Sequence, residues 1–237
     1  MSIVLPLKRV LEQLSNNQLT TAEKIRIMNL IDSAAINLST NPRIETQGNL
    51  EILNAAIVVI IGAVQDLYGD GDMDFAGLPE FMNQANSQVA PLKMTKCKRV
   101  GIGLGTSVKT WEDVFYDICH ESVHVLNPVF NVRDCMVKVS SLDEGVAVKF
   151  AEQMFEKYYK PYSEIKPTNS PVNAVHSQYY IAYSAAKKIP DATLKDVRKE
   201  FGKFSNINDL KKFRELVGEY LNDKEIEILS APFIYKI

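Results

Sequence analysis

The chain has 237 residues, 46% of them hydrophobic and 24% charged, with a formal net charge of −2 at pH 7. That length supports one full domain, or a domain with a helical extension, of ordinary globular composition. The near-neutral balance argues against nucleic acid as the main partner, and three cysteines (Cys97, Cys119, Cys135) with no C-x-x-C pair argue against a disulfide framework and for a reducing, cytoplasmic setting.

Residues 1–10 are too short and too polar for a signal peptide, with Pro6 and Lys8-Arg9 interrupting them. Residues 7–14 and 21–38 have helical spacing, and Ile25, Met28, Ile31 and Ala35 form the apolar stripe of the second. Asn41-Pro42 breaks the pattern. A long helix is expected over 49–67. Its apolar stretch, 52–64, contains Asn54 and is followed by Gln65-Asp66, so it falls short of a membrane span and reads as a buried core helix. Residues 69–77 (GDGDMDFAG) read as an acidic, solvated loop. Asp70, Asp72 and Asp74 alternate as calcium ligands would, but Phe75 stands where an EF-hand needs glycine.

Residues 98–104 alternate, with Val100, Ile102 and Leu104 on one face and glycines on the other, and form the best strand in the chain. A glycine face admits close approach by another part of the backbone. The pattern G-x-G-x-G is not the dinucleotide fingerprint. Thr110-x-x-Asp113 is a capping box, and Asn127-Pro128 is a stop, so a helix is expected over 111–126. Inside it lies His120-Glu121-Ser122-Val123-His124. Residues four apart share a helix face, so both imidazoles can reach one metal ion, while Glu121 is rotated by about 100° and can face a water on that ion. Zinc hydrolases commonly use three protein ligands. Glu144, in Ser141-Leu142-Asp143-Glu144-Gly145-Val146-Ala147, is the downstream candidate for the third, and the small Gly145 and Ala147 suit tight packing against the histidine helix.

After a short strand at 136–139, helices are expected over 143–159 and 172–189, with three short ones in 191–235. Cys119 is expected in the core, about 100° away from His120. Asp143 reads as either a second partner to an imidazole or an N-cap.

The segments H-E-S-V-H and L-D-E-G-V-A-V-K-F-A-E, within residues 98–188, resemble the gluzincin metallopeptidases, most nearly the aminopeptidase-like branch. The resemblance implies an α+β, mostly helical fold: a zincin-like core with a small sheet at 93–237. A helical N-terminal region, 1–92, is either separate or part of the same domain. It implies Zn2+ held by His120, His124 and Glu144, Glu121 as general base, and a peptide or protein substrate. Tyr179 is the first choice for the oxyanion-stabilising tyrosine, since Ala182 fills the small position of Y-x-x-G. Tyr180, Tyr183 and His176 are the alternatives. The family also places a cleft-side strand that pairs with substrate, a role for residues 99–104.

The chain departs from the family pattern at three places. Val148 stands where many gluzincins have an aspartate that orients an imidazole, Asp143 replaces the asparagine of N-E-G, and no G-x-M-E-N-type motif precedes the helix. Recognition of a free amino terminus is therefore not implied. Two other readings are a zincin-like binding or scaffold protein and a zinc hydrolase of non-peptide amides.

Overall fold

The computed structural model describes residues 4–18, 20–34, 41–71, 74–75, 77–91, 99–128 and 139–234. They form a mostly helical α+β fold with a small mixed sheet. In chain order the elements are α1 (Val4–Gln18), α2 (Thr21–Ala34), α3 (Gln47–Tyr68), β1 (Asp74–Phe75), β2 (Glu80–Phe81), β3 (Gln88–Pro91), β4 (Arg99–Leu104), α4 (Trp111–Leu126), α5 (Ser141–Met154), α6 (Gln178–Ala186), α7 (Asp191–Phe201), α8 (Leu210–Val217) and α9 (Asp223–Ser230).

α3 starts at Thr46, whose hydroxyl accepts from Asn49 N, and stops at Gly69, which takes φ +93°. It is long and apolar enough to cross a membrane by length and composition. Here its buried face, including Ile52, Ile57, Ile60 and Val64, belongs to the same apolar cluster as Leu7 and Leu11 of α1 and Trp111 and Phe115 of α4. That cluster continues to Leu229 of α9, with members on both sides of residue 92.

α4 follows the sequence expectation at both ends. Thr110 Oγ1 accepts from Asp113 N at 3.2 Å and Thr110 N donates back to Asp113 Oδ2 at 3.1 Å, the reciprocal pair of a capping box. At the other end Arg198 donates to Asn127 Oδ1 (2.6 Å) and to Tyr68 O (2.8 Å), tying the ends of α4 and α3 together. Every residue of α4 is buried except His120 and His124.

Several expectations need correction. Ile25 is exposed, whereas Ile27 is buried and Met28 of the expected stripe packs against the core. Asp74-Phe75 is a short strand paired with Arg99-Val100 and not part of the acidic loop. The α-helix expected over 143–159 begins at Ser141 and passes into a π-helical turn at Phe155–Tyr159. The helix expected from 172 begins at Gln178, where Ser177 Oγ accepts from Tyr180 N; Pro171–Asn173 form only a 3-10 turn. Most of the strand expected at 136–139, and Asp72, Cys97 and Cys135, lie outside the described residues. Cys119 is buried, as its position on α4 implied.

β4 is the centre of the sheet. Val100 pairs with both Phe75 and Pro91, and Gly103 with both Glu80 and Gln88, so both edges of β4 are occupied. The expected role of 99–104 as the strand open to substrate therefore does not hold. Antiparallel β3 pairs with β4, and among the described residues no strand pairs with its other side. The glycine face of β4 does admit close neighbours. A Cβ on Gly105 would meet Ala85 O at 2.3 Å, and one on Gly103 would strike the Met82 side chain.

Candidate metal centre

The histidine helix, α5 and α6 converge on one cleft. His120 and His124 sit one turn apart on the only open stripe of α4. Glu144 stands in the first turn of α5, which Ser140 caps through a bond from Asp143 N. Helix N-termini favour carboxylates, so the position suits an ionised ligand. His120 Nε2 lies 3.3 Å from His124 Nε2 and 3.3 Å from Glu144 Oε2, and His124 Nε2 is 3.7 Å from that same oxygen. Three ligands about 2.0–2.2 Å from a tetrahedral ion stand roughly 3.3–3.6 Å apart, so the observed triangle has the edges of such a site. His120, His124 and Glu144 form a group that can hold a metal ion.

The side chain that orients an imidazole is Asp143. Its Oδ2 lies 3.0 Å from His124 Nδ1. An imidazole that keeps its Nδ1 proton on Asp143 has Nε2 available as a ligand atom once it is neutral. Ser140, not Asp143, is the N-cap, which resolves the two sequence readings of Asp143. Val148, where the resemblance implied an aspartate, is buried.

The charges of the centre shift each other. Burial alone would lower the His124 imidazole, but Glu144 and Asp143 overcome it and hold it well above its ordinary value. Burial likewise disfavours the Glu144 carboxylate, and the two imidazoles reverse that and hold it well below the usual carboxylate range. Glu121 differs. Burial pushes its carboxyl up to about 7, the imidazoles offsetting this and Glu144 and Asp117 adding to it. No hydrogen bond from a described residue reaches it. A carboxyl poised near neutral pH is suited to exchange protons.

Tyr179 is brought to the site by helix packing. A Cβ on Gly145 would come within 2.7 Å of Ala182 O and 2.9 Å of Ala186 Cβ, so glycine lets α6 lie directly on α5. The small residue thus serves α6, and not the α4 contact that the sequence led us to expect. Close approach of α6 sets the Tyr179 ring 6.3 Å from that of His120 and 4.8 Å from Phe233. Burial, reinforced by Glu144, Glu121 and Asp117, holds its phenol far above the ordinary value, so it stays protonated and able to donate. The other two tyrosines turn away: Tyr180 and Tyr183 pack on each other, 6.3 Å between rings. His176 is exposed before α6 and does not join the ligand group.

The cleft itself has a volume of about 250 Å3. It is lined by His120, Glu121, His124, Asp143, Glu144 and Tyr179, and on its rim by Asn86, Ser87, Gln88 and Val89 at and before β3. Sequence reading missed that rim, because β3 has only four residues, ends in proline and lacks an apolar alternation. Comparison of the chain with family models, with curated proteins and with solved structures finds no match in any of the three.

Proposed function

We propose that the protein is a zinc-dependent peptidase of gluzincin type with a zincin-like core. The observation that carries this reading is the triangle of His120 Nε2, His124 Nε2 and Glu144 Oε2, with edges of 3.3, 3.3 and 3.7 Å. Two imidazoles and a carboxylate match the donor set of catalytic zinc, with a position left for water or substrate. Bound there, zinc supplies a Lewis acid and lowers the pKa of water. The chain's own residues do the remainder. Glu121, next to His120 and raised toward neutrality, accepts the proton of the attacking water and delivers it to the leaving amine. Asp143 holds His124 in the tautomer that ligation requires. The protonated phenol of Tyr179 donates toward the developing oxyanion.

A peptide is favoured over a small amide by the rim. β3 offers an edge beside the cleft, and Gln88 and Val89 line it, so an extended chain can add to the sheet with its carbonyl over the site.

The test combines metal content with a variant. Protein purified without added zinc is expected to hold close to one equivalent. Glu121→Gln is expected to retain the zinc and to lose hydrolysis of a peptide library by about 10²–10⁴-fold. Zinc binding with no cleavage by the wild type contradicts the peptidase reading and favours a binding protein. Tyr179→Phe is expected to lower kcat by about 10²–10³-fold with little change in zinc content, as loss of an oxyanion donor does. An unchanged kcat removes Tyr179 from that role.

A further inference from the structure

A second, smaller cavity of about 140 Å3 opens beside the metal cleft and shares His120, Glu121 and Tyr179 with it. Tyr116, Asp117, Val148 and Asn169 line it but not the metal cleft. Asp117 precedes His120 by three residues and Glu121 by four, so helix geometry sets it on their side of α4. Its carboxylate accepts from Asn169 Nδ2 at 2.9 Å on each oxygen and from the Ser87 hydroxyl on Oδ2. Burial nonetheless raises its pKa, with the bonds from Ser87 and Asn169 offsetting part of the rise.

Of the charged groups around Asp117, His120 favours the ionised form. No Lys or Arg pairs with Asp117 among the described residues, and none lines either cavity among them. A desolvated carboxylate without a cation is costly, and the cost falls when a cationic group enters. The dimensions agree, since a cavity of ~150 Å3 houses a benzene-sized group. Val148 and the Tyr116 ring give the inner wall apolar surface for an aliphatic stem, while the Tyr116 hydroxyl is engaged by Glu152 at 2.8 Å.

We propose that the side cavity is a specificity pocket that takes the lysine or arginine side chain of a substrate residue flanking the scissile bond, with Asp117 as its counter-charge. This rests on the peptidase reading. Val148 acquires a role in it: where an aspartate is otherwise expected, the apolar residue leaves the pocket open to the stem.

The zinc-loaded full chain is given peptide pairs with lysine or norleucine, and arginine or citrulline, on either side of the cleaved bond. It is also given two hydroxamates that differ only in an aminobutyl or a butyl side chain, with affinity read by calorimetry. The basic peptide is expected to have the higher kcat/KM by at least about tenfold, and the aminobutyl hydroxamate to bind tighter by a similar factor. In Asp117→Asn, checked for zinc content and melting temperature, both ratios are expected to fall toward one. Wild-type ratios at or below one, or ratios unchanged in the folded variant, overturn the pocket. Cleavage of neutral and basic peptides alike removes the pocket and keeps the peptidase. No cleavage of any peptide, with the aminobutyl hydroxamate still preferred, keeps the pocket and removes the peptidase. Failure to take up zinc overturns both.

Discussion

α3 and α4 lie against each other at the centre of the molecule, and both are buried along most of their length, yet they bury opposite kinds of side chain. α3 contributes Ile52, Leu53, Ile57, Ile60 and Val64 to the core and no buried charge. α4 buries Glu112, Asp113, Asp117 and Glu121 along with Trp111 and Phe115, and opens only at His120 and His124. Apolar burial contributes roughly 25 cal/mol per Å2, whereas a buried carboxylate costs stability unless its partners offset the loss of water. Most of the α4 acids have such partners: Ser163 donates to Glu112, Thr168 N to Asp113, and Asn169 to Asp117. Glu121 does not, and it is the one assigned to chemistry. The apolar core and the proposed chemistry thus lie on adjacent helices, and in α4 the acid that burial shifts to about 7 is the one proposed to act.

That contrast can be broken on the α3 side first. Ile60 is fully buried, and Ile60→Ala is expected to destabilise the protein by about 2–5 kcal/mol in denaturant unfolding. Zinc stoichiometry at a temperature where the variant is folded is expected to stay at that of the wild type. A loss of metal in the folded variant places the centre's integrity in α3 and removes the division.

On the α4 side, Glu121 predicts a stability effect of the opposite sign. Its carboxyl titrates at about 7 in the folded, metal-free chain against 4.5 when unperturbed. The native state therefore binds the proton more tightly. Its contribution is full below about 4.5 and is lost as pH rises through about 7. Glu121→Gln has no such group to ionise. The metal-free variant is expected to gain stability over wild type as pH rises from 4 to 8, by on the order of 3 kcal/mol at the top. A difference that is flat with pH shows that Glu121 is as well solvated in the fold as outside it.

Asp143 gives the smallest expected effect. Asp143→Ala leaves all three ligands present but frees the His124 ring, and is expected to weaken zinc affinity by about 10–100-fold in a chelator competition. An unchanged affinity means that ring orientation is set by packing alone.

Much of α4 was legible because its signals are local. Thr110 and Asp113 close a box within one turn, Asn127-Pro128 forbids continuation, and His120 and His124 share a face by spacing alone. Glu144 could be read from its spacing after His124 and its E-G-x-A setting. What could not be read depends on contacts between distant segments. β3 exists because Gln88–Pro91 pair with β4, and nothing in those four residues demands a strand. Asp143 was legible as either an imidazole partner or an N-cap, and only its contact with His124, nineteen positions away, decides between them. Gly145 was read as small but assigned to the wrong neighbour, since its space is used by Ala182 and Ala186 of a helix whose start at Ser177 was placed too early. The side cavity needs Asp117 from α4, Ser87 from the loop before β3 and Asn169 from the segment before α6. Only the first of these could be linked to the histidines by helical spacing.

The central claim is that His120, His124 and Glu144 hold one zinc ion. Diffraction from crystals of the zinc-loaded protein on either side of the zinc absorption edge tests it directly. The account predicts a single anomalous peak about 2.0–2.2 Å from His120 Nε2, His124 Nε2 and Glu144 Oε2. No peak within that triangle, or a zinc ion bound by other side chains, contradicts it.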